Sequence, residues 1–522
     1  MMSTSTLFLG LAALSVSYYV VFSVIAWWRL RAFNGPFLAS FSYLWILRIL
    51  RSGRHGELLR PVVDKNATTR IGPNELLTSD PVVIRRMNAV RSRYTRSNWY
   101  SLNRLIPGED SMFSLLDTAE HDKVKAQTAA GYNGKDVPGL EADIDSVIAT
   151  MVNKIRTKYA ADPSNPTELP KPHLDMGRMA QYFTLDSIMK IAFARSFGFL
   201  ETESDPYGHL DMLDEMVPTM NCVSMVPYLA YIASSSWITK LLTPSEKNAK
   251  GIFKILPITR AIVAERFHPS AEAEKKNDML ASFIAHGLTE MQCNNEAVLQ
   301  VLAGSDTTAT AFRSTMLYII TTPRIYNTLQ YEIDLAIQNG KISAPITSAE
   351  SVAHLPYLQA VIWEGLRFHP PFNGFPFKLV PPEGDTIDGK FVPGGTRIAP
   401  SYEKFTRLTS VFGEDANVFR PERWLPATWR VGFGQDAESL EWEGGEKERV
   451  AEMRRTVELV FGYGRFGCAG RFVAFLELNK VFVELLRHFD FQIVDPTNPW
   501  ESKNYALFMQ RNMWVRVLLR GQ

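Results

Sequence analysis

The stretch FGYGRFGCAGR at residues 461–471 surrounds one thiol, Cys468, with four glycines and three aromatic side chains. Because glycine has no Cβ, such a backbone can lie flat against a large planar ligand and can turn through positive φ. The apolar spacing of residues 469–489 predicts a helix, which places Cys468 at its N-terminus. The helix dipole and the free N–H groups there favour the thiolate, the form of cysteine that binds metals. The stretch therefore predicts a metal-bound thiolate, with a buried, inert cysteine as the alternative.

The other cysteines narrow the kind of metal group. The chain has three cysteines, and Cys222 and Cys293 stand alone, without a C-x-x-C pattern or a neighbouring histidine cluster. That arrangement gives no support to a zinc site or an iron–sulfur cluster, since both need several such ligands. A single cysteine ligand among open glycines points to haem instead.

The pattern Phe461-x-x-Gly464-x-x-x-Cys468-x-Gly470 resembles the haem-binding loop of the cytochrome P450 superfamily. The resemblance implies a mainly α-helical fold with small β-sheets. It also implies a haem cofactor with Cys468 as the axial ligand of the iron, and with Phe461, Gly464 and Gly470 against the haem. Electron donation by the thiolate favours O–O cleavage in this family.

Basic side chains are expected to hold the haem propionates. Family members have an arginine two residues before the cysteine, but here Phe466 takes that position and Arg465 stands one residue earlier. Arg465 is therefore expected to fill the role. By the same resemblance, His121 and Lys125 stand where a helix of the family supplies propionate contacts, and Lys378 stands where the family usually has arginine. The alternative for each lysine is an ordinary solvated side chain.

An ion cluster is expected to support the cysteine loop. Glu364 and Arg367 are three residues apart, so a helix would bring their charges together on one face. Alone, such a pair is usually a solvated contact of little energy. The segment PERW at residues 421–424 resembles the family's Pro-Glu-Arg-Phe segment, and the resemblance implies a buried structural triad of Glu364, Arg367 and Arg423.

The stretch AGSDTT at residues 303–308 lies midway along an apolar helix predicted from residue 296 past residue 318. Glycine, serine and threonine are poor helix formers, so the helix tolerates a cost there. The four-residue step from Ala303 to Thr307 puts both on one face. By resemblance this is the oxygen-activating groove, with Thr307 and Asp306 as catalytic residues and Asp306 relaying protons from solvent. The alternative is a helix bend with hydroxyls bonded back to the preceding turn.

Aromatic side chains dominate the places that line the substrate pocket in this family. The expected pocket residues are Trp99, Tyr100, Phe113, Ala303, Phe372, Phe375, Phe377 and Phe508. Such a lining suits a bulky hydrophobic or aromatic small molecule that is recognised by shape and stacking. For any single member of the set, core packing is the alternative.

The resemblance implies a haem-thiolate monooxygenase that inserts one oxygen atom from O2 into such a molecule. Stretches such as RIGPNE at residues 70–75 are similar to fungal, pisatin-demethylase-like members of secondary metabolism. Hydroxylation, demethylation, ring formation or phenol coupling is then expected. No strand–turn–helix fingerprint of a flavin or nicotinamide site is apparent, so electrons are expected from NADPH through a separate cytochrome reductase, with cytochrome b5 as a further donor. The alternatives are an isomerase, dehydratase or peroxygenase on the same scaffold, or a non-catalytic membrane haem-binding protein.

The N-terminal segment is predicted to be a membrane anchor. Residues 6–28 carry no charge, are long enough to span a bilayer, and are followed by Arg29 and Arg31. This predicts an anchor at residues 1–31 in the endoplasmic reticulum membrane, a linker at 32–68, and a haem-binding catalytic domain at 69–522 that faces the cytoplasm. A cleaved signal peptide is the alternative.

The remaining composition gives weaker expectations. The net charge of +1 argues against a nucleic-acid partner, and a monomer is expected. Residues 434–458 are dense in charges and glycine, which predicts a mobile surface loop.

Overall fold

The computed structural model describes residues 4–106, 108–165, 169–235, 238, 251–269 and 276–521, with side chains of the first helix described at residue 10 and from residue 13 onward. The fold is mainly α-helical with small β-sheets, as predicted. The first helices span Thr4–Arg29, Leu44–Arg51, His55–Val63, Pro81–Asn88, Thr118–Tyr132, Leu140–Lys158, Met176–Phe193, Phe199–Thr202, His209–Met225 and Pro227–Ala233. The later helices span Ile252–Phe267, Met279–Ala285, Glu290–Thr321, Pro323–Gln338, Ser348–His354, Pro356–Phe368, Tyr402–Phe405, Thr409–Phe412, Glu446–Val457 and Arg471–His488. Single 3-10 turns lie at Phe37–Ser40, Tyr100–Asn103, Pro421–Trp424, Ala437–Ser439, Glu458–Phe461 and Gly464–Phe466.

Short strands form small sheets at the edges of the helical body. They are β1 (Thr68–Gly72), β2 (Glu75–Thr78), β3 (Thr95–Arg96), β4 (Ala160–Ala161), β5 (Leu174–Asp175), β6 (Lys378–Leu379), β7 (Asp385–Ile387), β8 (Lys390–Val392), β9 (Arg397–Pro400), β10 (Phe489–Ile493), β11 (Glu501–Asn504), β12 (Phe508–Arg511) and β13 (Trp514–Leu519). The first sheet has the order β1-β2-β9-β6-β3, and a second has the order β10-β13-β4, with β5 also paired to β13. The strands β7-β8 and β11-β12 form separate pairs. The first sheet thus brings β3 beside β6, from distant parts of the chain.

The helix Glu290–Thr321, here called the central helix, runs through the body and packs along the helix Met176–Phe193. Thr289 caps its N-terminus in a reciprocal capping box, which satisfies N–H groups that would otherwise lack partners. A Cβ at Gly304 would lie 2.9 Å from Ile188 Cγ1, closer than such atoms normally approach. Glycine therefore lets the two helices pack closely beside the groove predicted at residues 303–308.

The helix Arg471–His488, here called the C-terminal helix, follows Cys468 as predicted, with Gly470 as its N-cap residue. Its buried face is apolar over most of its length and includes Leu476, Leu478, Val481, Phe482, Leu485 and Leu486. Burial of apolar side chains is the main source of stability in such a helix. The helix therefore fixes the end of the cysteine-containing stretch to the core.

The predicted N-terminal helix is present at Thr4–Arg29. The Arg70 guanidinium ties its end to the body, because it donates hydrogen bonds to the carbonyl oxygens of Ala26 and Ser40 at 3.0 Å each. Among the residues with described side chains, no helix is both long and apolar enough to cross a membrane. The single-pass anchor and the location in the endoplasmic reticulum stay predictions.

Two segments contain helices that the sequence analysis did not assign. The predicted linker at residues 32–68 contains the helices Leu44–Arg51 and His55–Val63. The predicted surface loop at residues 434–458 ends in the helix Glu446–Val457, so the prediction is wrong for that half. The physical reason is that Val450 and Met453, three residues apart, are buried against the body.

Candidate active site

A cavity of about 420 Å³ lies between the central helix, the C-terminal helix and residues 461–470, here called the cysteine loop. This volume is within the range of about 300–1,000 Å³ that is usual for small-molecule sites. Most of the predicted cofactor and pocket residues meet in its wall. They are Trp99, Tyr100, Phe113, His121, Lys125, Ala303, Thr307, Phe372, Phe461, Cys468 and Gly470.

The cysteine loop folds back on itself and presents Cys468 to the cavity. The Cys468 N–H donates to the Phe461 carbonyl oxygen at 2.7 Å, which closes the loop. Gly464 has φ of 56°, and a Cβ there would lie 2.5 Å from the Asn88 carbonyl oxygen. Any other residue at 464 would be strained in φ and would collide with this backbone, so the loop shape requires glycine.

The spacing Gly462-x-Gly464-x-x-Gly467 in this loop matches the spacing of dinucleotide-binding turns. In those turns the glycines follow a β-strand and open a helix that faces the phosphates. Here the 3-10 turn Glu458–Phe461 precedes the glycines, and Cys468 follows them. The spacing therefore belongs to the loop around the thiol and does not indicate a dinucleotide site.

The protonation of Cys468 depends on opposing effects. Burial raises the pKa of the Cys468 thiol, while the N–H groups of Gly470 and Arg471 and the Lys125 ammonium act to lower it. The expected lowering at the helix N-terminus is therefore present but is outweighed by burial. A bound cation would add the missing stabilisation of the thiolate.

The other two cysteines do not reach the cavity wall. Cys293 is buried in the apolar core, where burial raises the pKa of its thiol to about 12. Cys222 is half-buried, and burial raises the pKa of its thiol as well. Cys468 is the one thiol of the three that lines the cavity.

Thr307 and Ala303 line the cavity together, on the face of the central helix that the four-residue step predicts. The Thr307 hydroxyl donates to the Ala303 carbonyl oxygen at 2.9 Å. This is the back-bonded arrangement that a simple helix bend would also show. Because the hydroxyl oxygen keeps its acceptor lone pairs, the arrangement still leaves a polar group on an otherwise apolar wall.

Asp306 lies outside the cavity wall, in contrast to the prediction that it relays protons from solvent. Adjacent helix residues are about 100° apart around the axis, so Asp306 points away from the face that carries Thr307. Its side chain is 2% exposed, and its Oδ1 lies 3.3 Å from Arg313 Nη2 and 3.2 Å from Gln181 Nε2. Burial raises the pKa of Asp306, and Arg313 opposes that rise. The carboxylate therefore belongs to a buried ion pair behind the groove.

Glu477 was missed by the sequence analysis, and it lies in the cavity wall. It sits on the buried face of the C-terminal helix, where burial raises the pKa of its carboxyl to about 8 and the nearby Ser187 and Thr308 hydroxyls act to lower it. A carboxyl with this pKa is largely protonated at neutral pH. The signal that could have found it is a charged residue on an otherwise apolar helix face.

His121 and Lys125 lie side by side next to the cysteine loop. His121 Nδ1 is 3.0 Å from Asp122 Oδ1, and burial lowers the pKa of His121 to about 4, so the ring is neutral at physiological pH. Lys125 Nζ donates to the carbonyl oxygens of Arg465 and Gly467 at 2.7 and 2.6 Å. Lys125 thus supports the loop directly and presents a positive charge beside the cavity.

Arg465 does not line the cavity, so its predicted role at a propionate is wrong for this geometry. Its Nε lies 3.3 Å from Asp122 Oδ2, and its guanidinium also donates to the Val90 carbonyl oxygen. In the 3-10 turn Gly464–Phe466, the side chain of Phe466 lines the cavity, and Arg465 is directed to Asp122 instead.

Lys378 lies directly behind Phe466, buried and with 1% of its surface exposed. Its Nζ lies 3.0 Å from the centre of the Phe466 ring and has no hydrogen-bond partner among the described residues. Arg96, which the sequence analysis missed, lines the cavity beside it. Arg96 Nη1 donates to the carbonyl oxygens of Met112 and Leu115 at 2.8 Å each, whereas its Nε has no partner in the described part of the chain.

Glu364, Arg367 and Arg423 meet in the interior with no exposed side-chain surface. Glu364 Oε1 lies 2.7 Å from Arg367 Nη2 and 3.1 Å from Arg423 Nε. Glu364 also accepts a hydrogen bond from Trp424 Nε1 at 2.9 Å. Both arginines donate other N–H groups to backbone carbonyls within residues 406–418, and Arg423 Nη1 also donates to Asp415 Oδ1 at 3.0 Å. The cluster ties the helix that carries Glu364 to the chain that leads toward the cysteine loop.

Three predicted pocket aromatics lie outside the cavity wall. Phe375, Phe377 and Phe508 are buried in the core, so core packing, the alternative, is the correct interpretation for them. Their sequence neighbours Pro376 and Leu507 line the wall instead. Side chains alternate between faces along extended backbone, so Phe375 and Phe377, on either side of the wall residue Pro376, face the core.

The side chains around the cavity fit a thiolate-bound haem. One thiol, that of Cys468, reaches an apolar wall in which glycine at 470 leaves space. Arg96, in the wall, and Lys378, buried behind Phe466, each have a nitrogen without a hydrogen-bond partner among the described residues, and such groups call for an anion. A large planar group with carboxylates at one edge satisfies all three features.

Comparison with known proteins gives the same assignment. The sequence model of the family Cytochrome P450 matches residues 82–514. The chain is 41% identical to cytochrome P450 monooxygenase ABA1 of Pyricularia oryzae over 516 residues, which cover 98% of this chain and 96% of that protein. It is 39% identical to monooxygenase aba1 of Botryotinia fuckeliana over 490 residues, 94% and 92% of the two chains, and 35% identical to monooxygenase abl1 of Leptosphaeria maculans over 497 residues, 94% and 83%. The match covers most of the chain and includes the cysteine loop, and this protein therefore belongs to the cytochrome P450 family.

Proposed function

We propose that this protein is a monooxygenase in which Cys468 binds the haem iron and the cavity holds a bulky hydrophobic or aromatic intermediate of fungal secondary metabolism. The observation that carries the proposal is the position of Cys468, the one thiol of three that lines the cavity. Proteins of this family use a haem-thiolate iron and receive electrons from a separate reductase. For this chain the electron source is then NADPH, through a cytochrome reductase, with cytochrome b5 as a second donor.

The bound haem supplies oxygen activation at a thiolate-ligated iron. The chain supplies the surroundings of that chemistry. Lys125 holds the cysteine loop in place, and the apolar wall excludes water from the reacting groups. The Thr307 hydroxyl lies on the wall, where it can hold or pass on a proton, and the Glu477 carboxyl is a protonated group in the same wall.

The wall also limits the substrate. Trp99, Tyr100, Phe113 and Phe372 supply aromatic surface, and the helix His209–Met225 adds Met216 and Met220. Aromatic rings favour stacking, and methionine side chains adapt to irregular shapes. These residues support a bulky apolar substrate, and hydroxylation, demethylation, ring formation and phenol coupling are the reactions that such a site can perform.

The proposal is tested by labelled oxygen. Purified protein, NADPH and a cytochrome reductase are incubated under isotopically labelled O2 with a panel of fungal polyketides, terpenoids and alkaloids. A hydroxylated product should carry one labelled oxygen atom, demethylation should place the label in the released one-carbon fragment, and ring formation or phenol coupling should place it in water. No product should form without O2, NADPH and reductase. Product that forms without O2 and NADPH would indicate an isomerase or dehydratase, turnover that peroxide supports and the reductase does not would indicate a peroxygenase, and either result would contradict the proposal.

A further inference from the structure

We propose that Arg313 is a positioning residue whose guanidinium joins the central helix to the hairpin of β11 and β12 and so determines where the tip of that hairpin lies in the cavity wall. The inference rests on the proposed function, because it concerns the wall that a substrate would contact. It assigns a task to a buried arginine that lies outside the cavity. That task is to fix the shape of the wall, and with it the size of the molecule that fits.

The tip of the hairpin, residues 505–507, belongs to the cavity wall through Ala506 and Leu507. Ala506 has a φ of 78°, which is costly for a residue other than glycine and persists only where the surroundings fix it. Here the Ala506 N–H donates to Asn504 Oδ1 at 2.9 Å, and the Ala506 carbonyl oxygen accepts from the Asn373 N–H at 2.7 Å. The tip therefore has one defined shape, and its place in the wall depends on what holds β12.

The Arg313 guanidinium holds β12 at two points. Its Nε donates to Gln510 Oε1 at 2.6 Å, and its Nη2 donates to the Phe508 carbonyl oxygen at 3.0 Å. Phe508 directly follows the tip, and Gln510 lies two residues later with its side chain on the same face of the strand. One planar guanidinium thus holds both the backbone and a side chain of β12, which the single ammonium of a lysine could not do.

The same guanidinium is held on the central helix. Asp306, Thr310 and Arg313 are four and three residues apart, so they share one face of the helix, and none of them lines the cavity. Arg313 Nη2 lies 2.8 Å from Thr310 Oγ1 but 3.3 Å from Asp306 Oδ1, and the other Asp306 oxygen has no partner among the described residues. A guanidinium placed for its carboxylate would usually bind both oxygens. The guanidinium of Arg313 is placed closer to Thr310 and Gln510.

Gln510 extends the contact to a second part of the wall. Its Nε2 lies 3.0 Å from His369 Nε2, and burial lowers the pKa of His369 to about 3, so the ring is neutral and can accept this hydrogen bond. Pro371 and Phe372, which follow His369, line the cavity. Arg313 and Gln510 are 1% and 3% exposed, so water does not replace their hydrogen bonds. The network therefore joins the central helix to two segments of the wall.

The test uses two ligands of haem iron that differ in bulk, imidazole and 4-phenylimidazole. Full-length, haem-loaded protein is titrated with each, and the change in Soret absorbance gives the ratio of the two affinities. The phenyl ring has to fit against the cavity wall, whereas imidazole reports access to the iron. The ratio therefore measures the shape of the wall. It needs no product, so a protein that binds haem but fails the labelled-oxygen experiment still tests the inference.

Two variants break the network at different points. Gln510→Met removes the acceptor of Arg313 Nε with little change in side-chain size, and Arg313→Lys keeps the charge but loses the planar fork. We expect each to change the ratio by about fourfold or more, the equivalent of one buried methylene group. Gln510→Glu keeps an acceptor oxygen and should stay close to the wild type. Leu507→Ala should also change the ratio, and adding Gln510→Met to it should change little more, because both act through the tip.

Two results would overturn the inference. One is a wild-type ratio in folded Gln510→Met and Arg313→Lys proteins, and the other is that Leu507→Ala and Gln510→Met change the ratio independently. Thermal unfolding shows which variants fold, and if only one does, its ratio decides.

Amide hydrogen exchange of the wild type tests the inference without any variant. The amides of β12 should exchange as slowly as those of the central helix around Arg313, and fast exchange in β12 would overturn the inference. A wild type that does not bind haem through sulfur would contradict the proposed function, and the exchange measurement would still decide on the role of Arg313.

Discussion

Alanine in place of Glu364 is expected to destabilise the folded, haem-loaded protein strongly. The change removes the carboxylate that lies between the fully buried guanidinium groups of Arg367 and Arg423. Removing one partner from a buried ion pair costs about 3–5 kcal/mol, because the remaining charge is left uncompensated. Since domains are stable by only about 5–15 kcal/mol, this is a large part of the total. Urea unfolding, followed by fluorescence and by haem absorbance, measures the loss.

The chain offers a matched control for this change. Arg54 and Glu57 have the same three-residue spacing on a helix, but their side chains are 60% and 63% exposed. Alanine at Glu57 is expected to lower the free energy of unfolding far less, because solvent screens exposed pairs. If both variants lose the same free energy of unfolding, burial does not determine how much the Glu364 cluster contributes to stability.

Alanine in place of Thr307 is expected to separate electron consumption from product formation. Thr307 places a hydroxyl on the cavity wall, and proton transfer by a positioned group typically contributes about 10²-fold or more to a rate. The variant should oxidise NADPH and release hydrogen peroxide, while product per NADPH falls by about that factor. The yield of product and of peroxide per NADPH measures the effect.

Thr321 provides the control for Thr307. It lies on the same helix and its hydroxyl makes the same kind of back-bond, to the Leu317 carbonyl oxygen at 2.6 Å, but it does not line the cavity. Alanine at Thr321 should leave the product yield unchanged. If the two variants give the same yield of product per NADPH, the Thr307 hydroxyl affects only the helix structure and has no part in proton transfer.

Local patterns allowed the main elements of the site to be predicted. The helix after Cys468, the central helix and the face shared by Ala303 and Thr307 follow from spacing within one segment. The same reasoning failed for Asp306, because adjacent residues of a helix point in different directions around its axis. One step along the helix turns its carboxylate toward Arg313.

The remaining residues depend on contacts between distant segments. Arg96 lies at the cavity because β3 pairs with β6. No local sequence pattern shows the register of these two short strands. Phe375 and Phe377 flank a wall residue and therefore face the core, which depends on the phase of a short extended segment. Arg465 points to Asp122, and Phe466 lines the cavity, because of one turn in the cysteine loop.

The central claim is that Cys468 is the thiolate ligand of the haem iron, and the visible difference spectrum of reduced, carbon-monoxide-treated protein tests it most directly. The wild type should show a strongly red-shifted Soret band, which Cys468→Ala should lose. Cys222→Ala should keep the band, because Cys222 does not line the cavity. A haem-loaded, folded wild type without the band, or a Cys468→Ala protein that retains it, would contradict the account.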